Sequence, residues 1–357
     1  MRNKIKKKLF VISDIHGTPA PFIKALSDAG FDKEDSSHML IVLGDAFDRG
    51  ESNRQTLAYL SGIKNKLLLY GNHDCILMQA LCSGCVGRLQ RINGTQTTLR
   101  EFFPSYGDED ILTLTTEEEA NTAKELMDYI RSLSFIYETD SYVFTHGWLP
   151  MDEYGIDPDY AYCAYGRWDS VMWQRWPSFY GKFQIPEGKT LVVGHTSTAY
   201  AKEIDPKRLP DDYSIFYGER FIAIDGTVRR SGRANLLVIE DTVEETLTVP
   251  VLTDSAGVEA VRRGEKRVFL ELFDEQTASL RVGDILQISS QEGDSVSRRI
   301  ISLHRYHNFA DVEDDFDSCD LGYGKNRPLG YLSSEMRRLY SFEKVAQNGI
   351  IAIVTSE

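Results

Sequence analysis

The sequence predicts an α/β fold, with sheets flanked by helices, joined to a smaller β-rich domain. Three observations carry that expectation. Short apolar runs at 9–12, 39–43 and 66–70 alternate with helical patterns, which is the texture of βαβ units. Acidic, amide and imidazole side chains stand just past the ends of such runs, where open α/β sheets place their sites. Near Asp254-Ser255-Ala256-Gly257 the texture changes to short β-like runs separated by polar and acidic loops.

Taken in order, 9–12 reads as a buried strand, 21–29 as a helix and 39–43 as a second buried strand ending at Gly44-Asp45. A helix over 52–61, a strand over 66–70 and a helix from 75 to 82 follow. The stretch 88–134 is helical and acidic, with Glu117, Glu118 and Glu119 on a solvated face. The sheet resumes at 142–144 and 190–193, and 220–224 and 235–240 close it around Asp225-Gly226. Between them, the aromatic-rich stretch 160–183, with Trp168, Trp173 and Trp176, reads as a helical cap that walls part of a substrate cleft. Two domains are expected, 1–254 and 255–357, the second with strands at 268–273, 284–289, 298–304 and 349–354.

With 357 residues, 42% hydrophobic and 26% charged, the chain suits a soluble globular protein with a sizeable core. Lys4, Lys6, Lys7 and Lys8 precede an apolar run that Asp14 soon ends, so neither a signal peptide nor a membrane span is expected, and a cytoplasmic location is the default. Cys75, Cys82, Cys85, Cys163 and Cys319 are too few and too unevenly spaced for a disulfide framework. Cys82-Ser83-Gly84-Cys85 has zinc-ribbon spacing, but no second pair follows, and it reads as a helix end closing on Gly84. The net charge of −14 argues against a broad basic face for duplex nucleic acid and leaves room for a local basic groove.

The chemistry lies in Ser13-Asp14-Ile15-His16-Gly17, Gly44-Asp45-Ala46-Phe47-Asp48-Arg49-Gly50, Gly71-Asn72-His73-Asp74, Thr145-His146-Gly147 and Gly194-His195-Thr196. Two divalent metals about 3.5–4 Å apart can hold a bridging hydroxide for in-line attack on phosphorus, and they need a carboxylate between them. Asp45 is the candidate bridge. Asp14 and His16 reach a first metal, while Asn72, His146 and His195 serve a second. This mix of donors suits Mn²⁺, Fe or Zn²⁺ better than Ca²⁺.

These blocks resemble the signatures of the calcineurin-like metallophosphoesterases, and the Asp48-Arg49-Gly50 ending resembles the phosphoprotein phosphatase branch. Its bacterial members include serine/threonine and diadenosine tetraphosphate phosphatases, and they are also similar at Asn93-Gly94-Thr95, Thr98-Leu99 and Trp173-Gln174-Arg175. The resemblance covers residues 8–245 and implies a β-sandwich flanked by helices, with two divalent ions, Mn²⁺ foremost. It implies that His73, oriented by Asp48, protonates the leaving oxygen and that Arg49 and Arg175 grip the phosphate; Arg167 is the substitute for Arg175. Two departures, Trp148 after the histidine block and the order Ile224-Asp225-Gly226-Thr227, imply an altered cleft wall near Trp148.

Residues 258–355 resemble an ASCH domain, a small PUA-like β-barrel associated with RNA, at Gly264-Glu265-Lys266, Glu271-Leu272, Val282-Gly283-Asp284-Ile285, Tyr306-His307-Asn308-Phe309 and the run from Gly349 to Ile353. Phe273 stands where that family carries an arginine. Residues 255–357 hold 13 Lys and Arg against 17 Asp and Glu, which gives no basic footprint, although Arg298, Arg299, His304, Arg305 and His307 form a local cationic stretch. The expected activity is phosphomonoester hydrolysis, of the serine/threonine protein phosphatase type. Action on RNA ends or dinucleoside polyphosphates, with RNA bound by the second domain, is one alternative, and a non-catalytic interaction protein is another.

Overall fold

The computed structural model describes residues 2–317, 319–323, 331–336 and 338–356. In chain order its strands are β1 (Lys4–Ile12), β2 (His38–Val42), β3 (Lys66–Leu68), β4 (Ile136–Glu138), β5 (Tyr142–Thr145), β6 (Thr190–Val193), β7 (Phe216–Gly218), β8 (Phe221–Ala223), β9 (Leu237–Glu244), β10 (Thr248–Thr253), β11 (Val268–Leu272), β12 (Ile285–Ser290), β13 (Ser295–Tyr306) and β14 (Ile350–Thr355). The first six α-helices are α1 (Pro19–Asp28), α2 (Asn53–Ser61), α3 (Asn72–Ser83), α4 (Arg88–Asn93), α5 (Thr95–Phe102) and α6 (Glu117–Arg131).

One sheet runs β3-β2-β1-β9, with β1, β2 and β3 parallel and β9 antiparallel to β1. The apolar pattern marks only the buried half of β1. The strand extends back through the lysines because β9 sets Glu244, Asp241 and Glu240 opposite Lys4, Lys7 and Lys8, and opposite charges across a ladder stabilise it. A second sheet runs β4-β5-β6-β8-β7, with β5, β6 and β8 parallel. The carboxyl ends of β1, β2, β5, β6 and β8 run directly into loops bearing Asp14, Asp45, His146, His195 and Asp225.

α3 begins at Asn72, three residues before the start the pattern predicts. Asp74 explains the early start. Its carboxylate accepts from the N–H of Gly71 at 2.9 Å and of Asp45 at 3.2 Å, closing the first turn and fixing it to the β2 loop. Asn72 and His73 therefore project from a helix end. A β-carbon at Gly71 would overlap the Asp45 carboxylate, so only glycine admits this approach.

The expected cleft wall at Trp148 is not there. Trp148 is 1% exposed and stacks on Phe179, ring centroids 5.4 Å apart, within an aromatic core that includes Trp176 and Phe221. A large apolar ring gains more from that burial than from lining a wet cleft. Trp168 is buried as well.

The chain divides into two compact units. The first comprises Asn3–Pro158 and Asp169–Glu244; the second comprises Arg2, Asp159–Trp168 and Glu245–Glu357. The second contains a five-stranded sheet of order β10-β12-β13-β14-β11 with apolar clusters on both faces. Along β14, Ile350, Ala352 and Val354 face one cluster and Ile351 and Ile353 the other, as the two-residue strand period requires. The cationic stretch of β13 loses a member. His304 is fully buried, its Nδ1–H donating to the Cys163 carbonyl at 2.7 Å and its Nε2 accepting from Ser302 at 2.9 Å.

Candidate metal centre and phosphate site

The loops after β1 and β2 are joined by main-chain bonds, His16 N–H to the Asp45 carbonyl (3.1 Å) and Gly17 N–H to that of Ala46 (2.9 Å). Asp14, His16, Asp45, Asp48, Arg49 and His195 all have φ between +47° and +70°. Among the described residues, nine other than glycine adopt positive φ, and six of them are these. The left-handed region is costly for such side chains and persists where the surrounding structure enforces it. The enforced strain therefore lies at the residues the motifs single out.

Their side chains converge. Asp45 Oδ2 lies 3.8 Å from His16 Nε2, 4.0 Å from His73 Nε2 and 3.5 Å from His146 Nε2. Asp14 Oδ1 is 3.8 Å from His16 Nε2, and its Oδ2 accepts from the N–H of His195 at 2.9 Å. Asn72 Oδ1 sits 3.0 Å from His146 Nε2 and 2.8 Å from His195 Nδ1. Two groups of donor atoms, His16-Asp45-His73 and Asp45-His146-His195, are each close enough to surround one ion, and Asp45 belongs to both.

The second nitrogen of each histidine sorts the four rings. His16 Nδ1 faces the Phe47 carbonyl at 2.9 Å, His146 Nδ1 that of Leu43 at 2.6 Å, and His195 Nε2 that of Trp173 at 3.2 Å. A carbonyl only accepts, so each of those nitrogens carries the proton, and the lone pair of the other points into the centre. Metal-binding imidazoles are oriented in this way. His73 differs, because its Nδ1–H donates to a carboxylate, Asp48 Oδ2, at 2.9 Å. Asp48 in turn accepts from Thr95 and Thr98 hydroxyls, both at 2.8 Å.

The electrostatics fit a cation. Burial pushes Asp14 and Asp45 well above the carboxylate range, with the charges of Asp225 and Asp74 respectively adding to it. Burial raises Asp48 to about 7 against the pull of the two threonines. His16 and His73 are held well below the usual histidine range by burial, with neighbouring cationic groups adding to it, and His195 falls to about 3. Carboxylates crowded among neutral imidazoles lack a positive charge that would favour their ionised forms, and divalent ions would supply it. Burial first and then the Arg49 charge lower His73, while Asp48 fixes the orientation of its ring.

Arg49 lies across the centre, with Nη1–H donating to His16 Nε2 at 3.1 Å and Nη2–H to His73 Nε2 at 2.8 Å. Arg175 stands at the rim, its guanidinium 6.0 Å from the Tyr200 ring centre and its charge among the causes of the His195 shift. Arg167, its expected substitute, falls in the second compact unit. The sequence patterns passed over Asp74, which anchors α3, and Asp225, which is buried and acts on Asp14. Their positions directly after Asn72-His73 and directly after a buried strand were the available signals.

This arrangement, two donor groups sharing Asp45, one of them containing the carboxylate-backed His73, with Arg49 across the centre, is that of a metal-dependent hydrolase. The profile of the calcineurin-like phosphoesterases matches residues 7–201, more than half the chain, and the chain belongs to that family. No curated protein sequence matches it. Similar solved structures include a candidate diadenosine tetraphosphatase, 17% identical over 67% of this chain and 93% of that one, TM-score 0.42. They also include a serine/threonine phosphatase from Saccharomyces cerevisiae with similarity to human PP5, 12% identical over 67% and 80%, TM-score 0.39. A metallophosphoesterase from Sphaerobacter thermophilus is 20% identical over 54% and 60%, TM-score 0.30. No helix among the described residues is long and apolar enough to cross a membrane.

Proposed function

We propose that this phosphoesterase hydrolyses phosphomonoesters of the serine/threonine phosphoprotein type, with Asp14, His16 and Asp45 holding one divalent ion and Asp45, Asn72, His146 and His195 a second. The observation that carries this reading is the membership of Asp45 in both donor groups. Manganese is the proposed ion, with iron or zinc as substitutes, on the mixed oxygen and nitrogen donors. Bound there, such ions supply Lewis acidity and an activated water at neutral pH.

The chain's own residues do the rest. Arg49 turns its forked donors from His16 and His73 to phosphate oxygens, and Arg175 approaches from the rim. A phosphate dianion beside His73 supplies the negative charge that favours imidazolium. Asp48, held by Thr95 and Thr98, keeps Nε2 aimed at the centre to give its proton to the leaving oxygen. His73→Ala is expected to lower kcat by about 10²–10⁴-fold for an alkyl phosphate and by much less for p-nitrophenyl phosphate, whose leaving group needs no proton. The experiment is phosphate release by metal-stripped protein refilled with Mn²⁺, with Asp45→Asn as control. A refilled protein inert toward every ester tried would overturn the reading.

An ASCH-like second unit is proposed alongside, supported by the two-sided sheet and the exposed Arg299, Arg305 and His307 of the cationic stretch. Filter binding of single-stranded RNA by the full chain and by Arg299→Ala/Arg305→Ala tests it. Binding that is weakened by the substitutions favours RNA ends as substrates. No binding leaves the phosphoprotein reading in place.

A further inference from the structure

We propose that Trp173 and Tyr200 form an aromatic lip that selects esters carrying a flat ring near the phosphate; this rests on the metal-dependent phosphomonoester chemistry proposed above and sets a planar-ring ester in place of its serine/threonine substrate. Two segments of the first unit meet at His195. The Trp173 carbonyl accepts from His195 Nε2–H at 3.2 Å, which fixes the main chain of Trp173 beside the ring. Trp176 Nε1–H donates to the Thr196 carbonyl at 3.1 Å and ties the same segment to the loop that follows His195. That loop leads into the short helix Thr198–Glu203, which carries Tyr200 and starts at Ser197, whose hydroxyl accepts from Ala199 N–H.

Neighbouring large rings here are buried, Trp148 at 1% and Trp176 at 0% exposure, whereas Trp173 is 37% and Tyr200 42% exposed. Rings left in water on the two segments that meet at His195 are suited to stacking. Between them in function stands Arg175, two residues after Trp173, whose guanidinium lies 6.0 Å from the Tyr200 ring centre. A cation over one ring beside the phosphate grip pre-sets the contact, and further flat surface can add to it. Stacking of a planar ring on an exposed aromatic side chain is expected to favour it about tenfold. The shared chemistry is a planar ring on the ester, either a nucleobase or a phenyl group.

Calorimetric affinities of the Mn²⁺-refilled protein test this without turnover. Phenylphosphonate against cyclohexylphosphonate reads the phenyl source, and the non-hydrolysable methylenephosphonate analogues of AMP and of ribose 5-phosphate read the nucleobase source. The proposal expects about tenfold tighter binding of the planar member in at least one pair, collapsing in Trp173→Leu and Tyr200→Leu and retained in Tyr200→Phe. Equal affinities within both pairs, or a preference indifferent to both leucine variants, would overturn it. Because both side chains are exposed, unchanged melting temperatures will show that the variants fold. Absent ester hydrolysis with the planar preference intact would sink the catalytic reading and leave the lip standing.

Discussion

At the scale of single residues, Asp45 carries the most. Its Oδ1 accepts from His73 N–H at 3.0 Å, so the carboxylate also holds the first turn of α3. Its charge is opposed by burial and by Asp74. Asp45→Asn keeps the hydrogen bond and removes the charge, so the metal-free variant is expected to melt at or above the wild type. Mn²⁺ at a hundred times its dissociation constant stabilises a native-state site by about 2.7 kcal/mol, and that gain should vanish in Asp45→Asn. Differential scanning calorimetry with and without metal checks both. An unaltered metal-induced shift would remove Asp45 from the centre. The ligand types were legible because each stands in a short block after an apolar run. The histidine tautomers were not, since the carbonyls of Phe47, Leu43 and Trp173 that fix them come from distant parts of the chain.

At the scale of elements, α6 shows how a local signal is misread by composition. Glu117, Glu118 and Glu119 together read as a solvated face, yet Glu119 is only 4% exposed. It accepts from Thr115 N–H at 2.8 Å and Ser105 N–H at 2.9 Å, while the Thr116 hydroxyl accepts from Glu119 N–H at 3.1 Å. Thr116-x-x-Glu119 is the capping-box spacing, so the signal was present in the sequence. Thr116→Ala should cost about 1 kcal/mol, read from urea denaturation. The bonds from Ser105 and Thr115 hold the Glu119 carboxyl down at about 2, below its ordinary 4.5. A depressed carboxyl contributes stability above its unfolded value and loses it as pH falls. The wild type should therefore weaken from about pH 4.5 toward 2, and Glu119→Gln should be weaker at pH 7 with a shallower acid slope. Equal slopes would mean that the capping bonds carry no proton linkage.

For the whole molecule, the informative fact is that the second unit is assembled from separated stretches of chain. Sequence texture reads continuous segments, so it marked β11 to β14 of that unit but neither β10 (Thr248–Thr253) nor the membership of Asp159–Trp168. Tyr162 and Tyr165 from that stretch pack against its two apolar clusters. The buried His304 adds a pH term, because its Nδ1–H donates to the Cys163 carbonyl of the same stretch. Burial pushes the ring down to about 4 from the ordinary 6.5. The folded unit keeps the imidazole neutral, whereas the unfolded chain takes up a proton below about pH 6.5. Stability is thus full above that value and falls until about pH 4, by on the order of 3 kcal/mol. Tyrosine accessibility and hydrogen exchange in 159–168 should rise across this window together with exchange in β13 and β14. His304→Gln, neutral throughout, should start less stable at pH 7 and show a flatter profile down to pH 4. If exchange in 159–168 rises independently of β13 and β14, the unit does not open as one body and the His304 linkage is refuted.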